Sequence, residues 1–191
     1  MKLSRTTTRL ALAAALAFLS TTALAYYTCY TQTVDGIEWT YWVSGDTASL
    51  GGDARAVSTN TTGAIVIPST LGGYPVRSIG HYAFYCCRGL TRVTIPDSVT
   101  SIRNYAFWEC SGLTSVRISD SATSIRNNAF QNCRGLTSVT IPDSVTRIED
   151  AAFMGCSGLK TLHVPAGWKE RTEMLDSADV PEGCRIVYGT L

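Results

Sequence analysis

The sequence predicts an α/β repeat solenoid of about four 23-residue coils, with parallel strands on one face and short helical turns on the other. Two observations carry this. Five apolar columns recur at a step of 23: Ile79, Ile102, Ile125 and Ile148; Phe84, Phe107, Phe130 and Phe153; Cys87, Cys110, Cys133 and Cys156; Leu90, Leu113, Leu136 and Leu159; and Ile95, Ile118, Ile141 and Val164. Each unit also switches periodicity inside itself, from alternation in L-x-x-V-x-I to helical spacing in A-F-x-x-C-x-x-L.

The 191 residues fit one domain or a short repeat array. With 45% hydrophobic and 16% charged residues, the composition opposes a disordered tail, and a net charge of +1 opposes a nucleic-acid binder held by counterion release.

Residues 1–25 read as an export signal outside the folded protein. Lys2, Arg5 and Arg9 form a basic start, and Leu10 to Leu19 is an apolar run of ten. That is half the ~20 residues needed to cross a bilayer. Ala23-Leu24-Ala25 then forms a small-x-small cleavage site ahead of Tyr26. Cleavage near Ala25 removes three positive charges and takes the chain from +1 to −2. No second apolar stretch approaches membrane length, and Tyr188 to Leu191 carries no anchor pattern. The expectation is a secreted protein, extracellular or periplasmic, in a compartment that permits disulfides.

Residues 26–64 read as an N-terminal cap. Asp35-Gly36 between Tyr30–Val34 and Ile37–Val43 signals a β-hairpin with a type I′ turn. Its rings (Tyr26, Tyr27, Tyr30, Trp39, Tyr41, Trp42) suit a lid over the first coil. Residues 44–64, rich in Gly, Ser, Thr and Asp, read as a loop, with a glycosylation sequon at Asn60-Thr-Thr62.

Residues 65–163 form the solenoid. In each coil the alternation points Val93 and Ile95 inward and Arg92 and Thr94 outward. A Pro ends the strand, V-x-x-I makes a second extended leg, and A-F-x-x-C-x-x-L reads as one or two helical turns. Gly89, Gly112, Gly135 and Gly158 then break the helix, a position where glycine accepts φ > 0. The unit at 118–140 is the loosest, with Ser119 for Pro and Ala122 for Val, and the first unit is five residues longer around Leu71-Gly-Gly-Tyr-Pro75. Residues 164–191 read as the C-terminal cap: a helix over Ala166 to Leu175, then a strand over Cys184 to Tyr188.

The unit I-P-x-x-V-x-x-I-x-x-x-A-F-x-x-C-x-x-L-x-x-V resembles the BspA-type leucine-rich repeats of bacterial surface and secreted proteins, over about 65–163. The resemblance implies an exported interaction protein, in some members an adhesin. The few repeats and lack of an anchoring domain favour a secreted or periplasmic role over a surface one.

Seven cysteines cannot all close into internal disulfides. Cys87, Cys110, Cys133 and Cys156 occupy one interior column, where a free thiol packs as a small apolar group. Stacked coils bring such Cα atoms near ~5 Å, so pairing is not forbidden by distance. Zinc is disfavoured because no CxxC and no His accompanies the column. Cys86 must face elsewhere and is the expected exposed thiol, while Cys29 and Cys184 lie in opposite caps.

Two surfaces are candidates for binding. The outward strand positions Arg92, Thr94, Ser115, Arg117, Ser138, Thr140, Thr161 and His163 form a strip without acids, suited to an acidic or hydroxyl-rich partner, or simply a solvated face. Tyr82, Tyr85, Tyr105 and Trp108 form an aromatic stripe on the other side, fading into Asn128, Gln131, Ala151 and Met154. Asp97, Asp120 and Asp143 also repeat at 23, as turn residues or as Ca²⁺ ligands. No HExxH, GxSxG or phosphate loop is present, so neither catalysis nor a cofactor is expected. The function expected is a non-catalytic module for an extracellular protein or glycan, with no nucleic acid and no membrane span in the mature chain. The alternative is a structural or self-associating scaffold.

Overall fold

The structure is a computed structural model that describes residues 29–52, 54–170 and 173–189; the expected export signal lies outside these. The chain winds as a β-solenoid of about five turns with two sheets, parallel from coil to coil and antiparallel where the N-terminal strands and a hairpin within the first unit join one of them. The longer-stranded sheet runs β4 (Gly63–Val66), β7 (Leu90–Thr94), β9 (Ser115–Arg117), β11 (Ser138–Thr140), β13 (Thr161–Val164) and β14 (Arg185–Tyr188). Its register advances by the repeat, Val93 facing Val116, Val116 facing Val139, and Val139 facing Leu162. The short V-x-x-I legs build the second sheet through β6 (Tyr74–Ile79), β8 (Ser101–Ile102), β10 (Ser124–Ile125) and β12 (Arg147–Ile148).

The third side of each coil departs from expectation. A-F-x-x-C-x-x-L forms consecutive turns and no helix. Within 82–87, alternate N–H groups point in different directions. Those of Tyr85 and Cys87 donate within the coil, to Tyr82 O and Phe84 O. Those of Phe84 and Cys86 donate across it, to Ala106 O (2.7 Å) and Trp108 O (2.9 Å). The next two coils repeat the pattern: Phe107 N–H donates to Ala129 O and Phe130 N–H to Ala152 O. An α-helix would turn every N–H back to the residue four earlier, so coil-to-coil bonding and helix exclude each other here. The geometry needs left-handed residues, and Tyr82, Tyr105, Asn128 and Ala151 all have φ between 54° and 59°.

The glycine column also has a different cause from the one expected. Gly89, Gly112, Gly135 and Gly158 do not take positive φ. A Cβ on Gly135 would stand 2.8 Å from Ser111 O, and one on Gly112 or Gly158 would strike the carbonyl of Arg88 or Arg134. Glycine is required by the close approach of one coil to the next.

Inside, the apolar columns close into one core. Phe84, Phe107, Phe130 and Phe153 are fully buried and stack nearly parallel, with centroids 4.8, 5.1 and 5.6 Å apart. The first spacing is that of paired strands. Ser119, in the loosest coil, is also buried; its hydroxyl donates to Val99 O (3.0 Å) and accepts from the Ser121 N–H. Among the described residues, no helix is long and apolar enough to cross a membrane.

The N-terminal hairpin pairs β1 (Cys29–Val34) with β2 (Ile37–Ser44) around Asp35 and Gly36, both at positive φ. Residues 44–64 are not merely a loop. They contain β3 (Thr47–Leu50), antiparallel to β2 and parallel to β6. Ala56 N–H donates to Ala83 O just as Phe84 N–H donates to Ala106 O, so Ala56 holds the Phe place of an earlier, irregular coil. The volume missing there is filled from the hairpin by Trp39, which is 1% exposed and meets Phe84 edge-on at 6.2 Å. The longer first unit folds as a hairpin of β5 (Thr70–Leu71) on β6 around Gly72-Gly73. At the other end, the expected helix over Ala166 to Leu175 is a 3₁₀ helix at Ala166–Glu170 and a short α1 at Glu173–Asp176. β14 then pairs in parallel with β13.

If the phenyl ladder holds the coils together, Phe130→Ala should lower the unfolding free energy by about 3–5 kcal/mol. Urea denaturation followed by tryptophan fluorescence measures it. A loss below about 1 kcal/mol would mean that the ring is not fully packed.

Candidate interaction surfaces

The longer-stranded sheet lays its outward residues in two rows. Arg92, Ser115, Ser138 and Thr161 face one another from strand to strand, and Thr94, Arg117, Thr140 and His163 form the second row. All eight lie at the surface or half-buried. Arg92 Nε donates to Ser115 Oγ at 3.2 Å. Arg117 stands 3.6 Å from Asp120, with both side chains more than half exposed. So the strip is not free of acids: Arg117, Thr140, Asp120 and Asp143 line one shallow hollow of about 550 Å³ at its edge. The repeated Asp column was visible in the sequence, but its position beside Arg117 was not. Among the described residues, no three His, Cys, Asp or Glu side chains gather as metal ligands would.

The aromatic stripe becomes one cluster. Tyr82 stacks on Tyr105 with centroids 5.0 Å apart and planes 4° from parallel, and Tyr85 stacks on Trp108 at 5.0 Å. Tyr105 and Trp108 meet at 5.2 Å, and Tyr82 and Tyr85 meet edge-on at 6.0 Å. The left-handed turns place them: Tyr82 and Tyr105 occupy equivalent αL positions in consecutive coils, so their rings superpose along the solenoid axis. Left-handed backbone costs an L-residue about 1–2 kcal/mol. Arg55, from the irregular first coil, lies 5.1 Å from the Tyr85 ring and donates to Tyr85 O at 3.0 Å. No repeat pattern marks Arg55, so spacing alone could not reveal it. Tyr82 stays 40% exposed, whereas the Trp108 indole N–H is covered and, among the described residues, has no hydrogen-bond partner.

Below the cluster, Cys86 takes φ 59° and its thiol lies 3.4 Å from the Glu109 carboxylate. Arg88 also bonds Glu109, and the guanidinium, followed by the thiol, holds that carboxyl below the usual range. Cys86 is half-buried, while Cys29 is the exposed thiol, so exposure is greater in the N-terminal hairpin than expected. A second charged group is internal: Glu149, 8% exposed, bonds Arg126 at 2.7 Å and Arg147 at 3.3 Å.

All seven thiols are unpaired, and the four column cysteines are buried. Cys110, Cys133 and Cys156 each donate to the Phe carbonyl of the preceding coil, Phe84, Phe107 and Phe130, at 3.0–3.1 Å. The column therefore satisfies its weak S–H donors without a bridge. Burial pushes the Cys87 and Cys156 thiols up to about 12 and raises Cys133 as well.

The comparisons with known proteins agree with this architecture. The pattern described as a BspA-type leucine-rich repeat region matches residues 65–175 in six copies. A leucine-rich cell surface protein from Faecalibacterium prausnitzii superposes with a TM-score of 0.67 at 29% identity, covering 84% of this chain and 40% of its own. This chain therefore spans about two fifths of that relative. A leucine-rich repeat protein from Bacteroides capillosus superposes with a TM-score of 0.57 at 32% identity, over 70% of this chain and 97% of its own. A leucine-rich repeat protein of T. pallidum gives 0.53 at 25% identity, over 90% and 83%. No curated protein sequence matches the chain.

The thiols yield a pH dependence with a definite sign. Unfolded thiols ionise near pH 9, whereas folded Cys87 and Cys156 keep their protons to about pH 12. The contribution is intact below pH 9 and is lost as pH rises from 9 towards 12, at about 1.4 kcal/mol per pH unit per thiol. Cys156→Ala should make the stability–pH curve shallower by that slope, measured by urea titrations between pH 8 and 10.5. Alkylation of the folded protein at pH 8 should label Cys29 first and spare the column; rapid labelling of Cys133 would show that the column is open to solvent.

Proposed function

Because the chain belongs to the BspA-type leucine-rich repeat family, we propose that it is an exported, non-catalytic interaction module that binds an extracellular protein through the aromatic cluster of its first regular coils. The observation that carries this reading is the convergence of Tyr82, Tyr85, Tyr105 and Trp108 into one half-exposed, mutually stacked patch. Preformed aromatic groups lose little conformational freedom on binding, and Tyr and Trp dominate the energetic centres of protein interfaces. The backbone strain accepted at Tyr82 and Tyr105 places two of the four rings.

The ring orientation favours a protein over a glycan. Sugar stacking needs a free aromatic face. Here Tyr82 and Tyr105 each cover one face of the other, and Tyr85 lies between Trp108 and Arg55. That reduces the open ring face available to a sugar and presents ring edges, phenol hydroxyls and a guanidinium, groups that meet side chains and backbone carbonyls. The strand strip offers a second, polar contact in which Arg92 meets an acidic side chain of the partner, while Arg117 is already opposed by Asp120. Export is supported by the residues before the hairpin and by the family's surface and secreted members.

Binding of the purified protein to intact cells and to isolated surface proteins should separate the two surfaces. A Tyr82→Ala/Trp108→Ala variant should bind at least about 30-fold more weakly, the effect of losing roughly 2 kcal/mol at an interface centre. Arg92→Glu/Arg117→Glu should weaken binding less and make it less sensitive to salt. Unchanged binding by the aromatic variant would remove the cluster from the interface, and retention of glycans alone would overturn the choice of partner.

A further inference from the structure

Among the described residues, β1 ends its sheet and pairs only with β2, and its six residues Cys-Tyr-Thr-Gln-Thr-Val contain no charge and no Pro. Its pairing with β2 is regular from Cys29↔Trp42 to Val34↔Ile37, without a bulge. Natural edge strands are normally blunted by one of these devices. Other edges have them: β12 carries Arg147 and packs under α1, β14 begins with Arg185, and the four-residue β4 is followed within two residues by Pro68.

Hydrogen-bond parity defines what this edge offers. The two-residue turn makes Val34 and Ile37 a hydrogen-bonded pair, so Gln32 with Trp39 and Tyr30 with Tyr41 also exchange bonds inward. The N–H and C=O groups of Cys29, Thr31 and Thr33 consequently point away from β2. The same parity is visible on the far side of β2, where Thr40 N–H leaves the hairpin to bond Ala56 O at 2.7 Å. On the core-facing side, Tyr30 stacks with buried Tyr41 at 5.6 Å while remaining 37% exposed, and Tyr74 is 38% exposed. Burial, then the neighbouring phenols of Tyr30 and Tyr74, raise the Tyr41 hydroxyl.

We propose that β1 is a homodimer edge, pairing antiparallel with β1 of a second copy about a two-fold axis through Thr31. A second copy fits because the edge is self-complementary. In this register Cys29 faces Thr33 of the other copy, Thr31 faces Thr31, and Thr33 faces Cys29. All three outward residues of both chains then exchange ladder bonds, the largest number any two-fold register allows for Cys29–Val34. No like charges oppose each other, and a Thr–Thr pair sits on the axis. Tyr30 of each copy then lies opposite Gln32 of the other, adding partly exposed aromatic surface to the hydrogen bonds. The interface is smaller than the ~800 Å² per partner of a standard complex, so association belongs in the micromolar range. The inference rests on the hairpin alone and is independent of the aromatic-cluster reading.

Sedimentation velocity of the purified protein under reducing conditions, up to about 100 μM, tests it, because Cys29 is then unable to form disulfides. The wild type should sediment as a concentration-dependent dimer. Thr31→Lys places two ammonium groups opposite each other on the axis and should weaken the dimer at least about tenfold. Its side chain is exposed, so the thermal unfolding of the monomer should not move. In a Cys29→Ser background without reductant, Thr31→Cys should give a reducible covalent dimer, and Thr33→Cys, which faces position 29, should not. A wild type that stays monomeric, a Lys variant that dimerises equally well, or faster cross-linking through position 33 would each overturn the proposal.

Discussion

The fold depends on one hydrogen-bonding choice: in the turn side of each coil, every second backbone N–H donates to the next coil. A helix would use those donors internally and leave the coils joined on that side by side chains alone. Because the bonds cross instead, the three sides of each coil are tied to the next by backbone, and the repeat length cannot drift. The left-handed residues at 82, 105, 128 and 151 follow from that geometry, as does the glycine column where carbonyls of one coil crowd the next. The buried thiols follow too, since each Phe carbonyl lies within reach of the Cys one coil later.

The same constraint explains why the ends differ from the middle. A solenoid must present its first core layer to something other than another coil. Here the irregular coil 47–66 supplies the backbone but has Ala56 where the others have Phe, and Trp39 of the hairpin completes the layer from outside. At the far end, Ala151 and Phe153 donate to Ser177 and Ala178, so the last regular coil also finds its acceptors, in a segment that has left the 23-residue pattern.

The columns that repeat were legible. Period 23 located the core, the strands, the register and the grouping of Tyr82, Tyr85, Tyr105 and Trp108, because stacked equivalent positions must adjoin. The local conformation of A-F-x-x-C-x-x-L was not legible, since its apolar spacing fits a helix and a chain of turns equally well. Only the demand for coil-to-coil bonds distinguishes them, and side-chain periodicity does not register backbone donors. Coil 47–66 was hidden for the opposite reason: it keeps the backbone path but has lost the side chains that define the columns. Arg55, which joins the aromatic cluster from that coil, was hidden with it.

The candidate surfaces inherit their order from this scaffold. The aromatic rings superpose because consecutive αL positions superpose, and the two strand rows align because the register is fixed. Through-hydrogen-bond scalar coupling by NMR tests that foundation most directly. The coupling from Phe107 N should reach the carbonyl carbon of Ala129, 22 residues ahead, with Phe130 coupled likewise to Ala152. Coupling from Phe107 back to Arg103, the helical acceptor, would contradict the account.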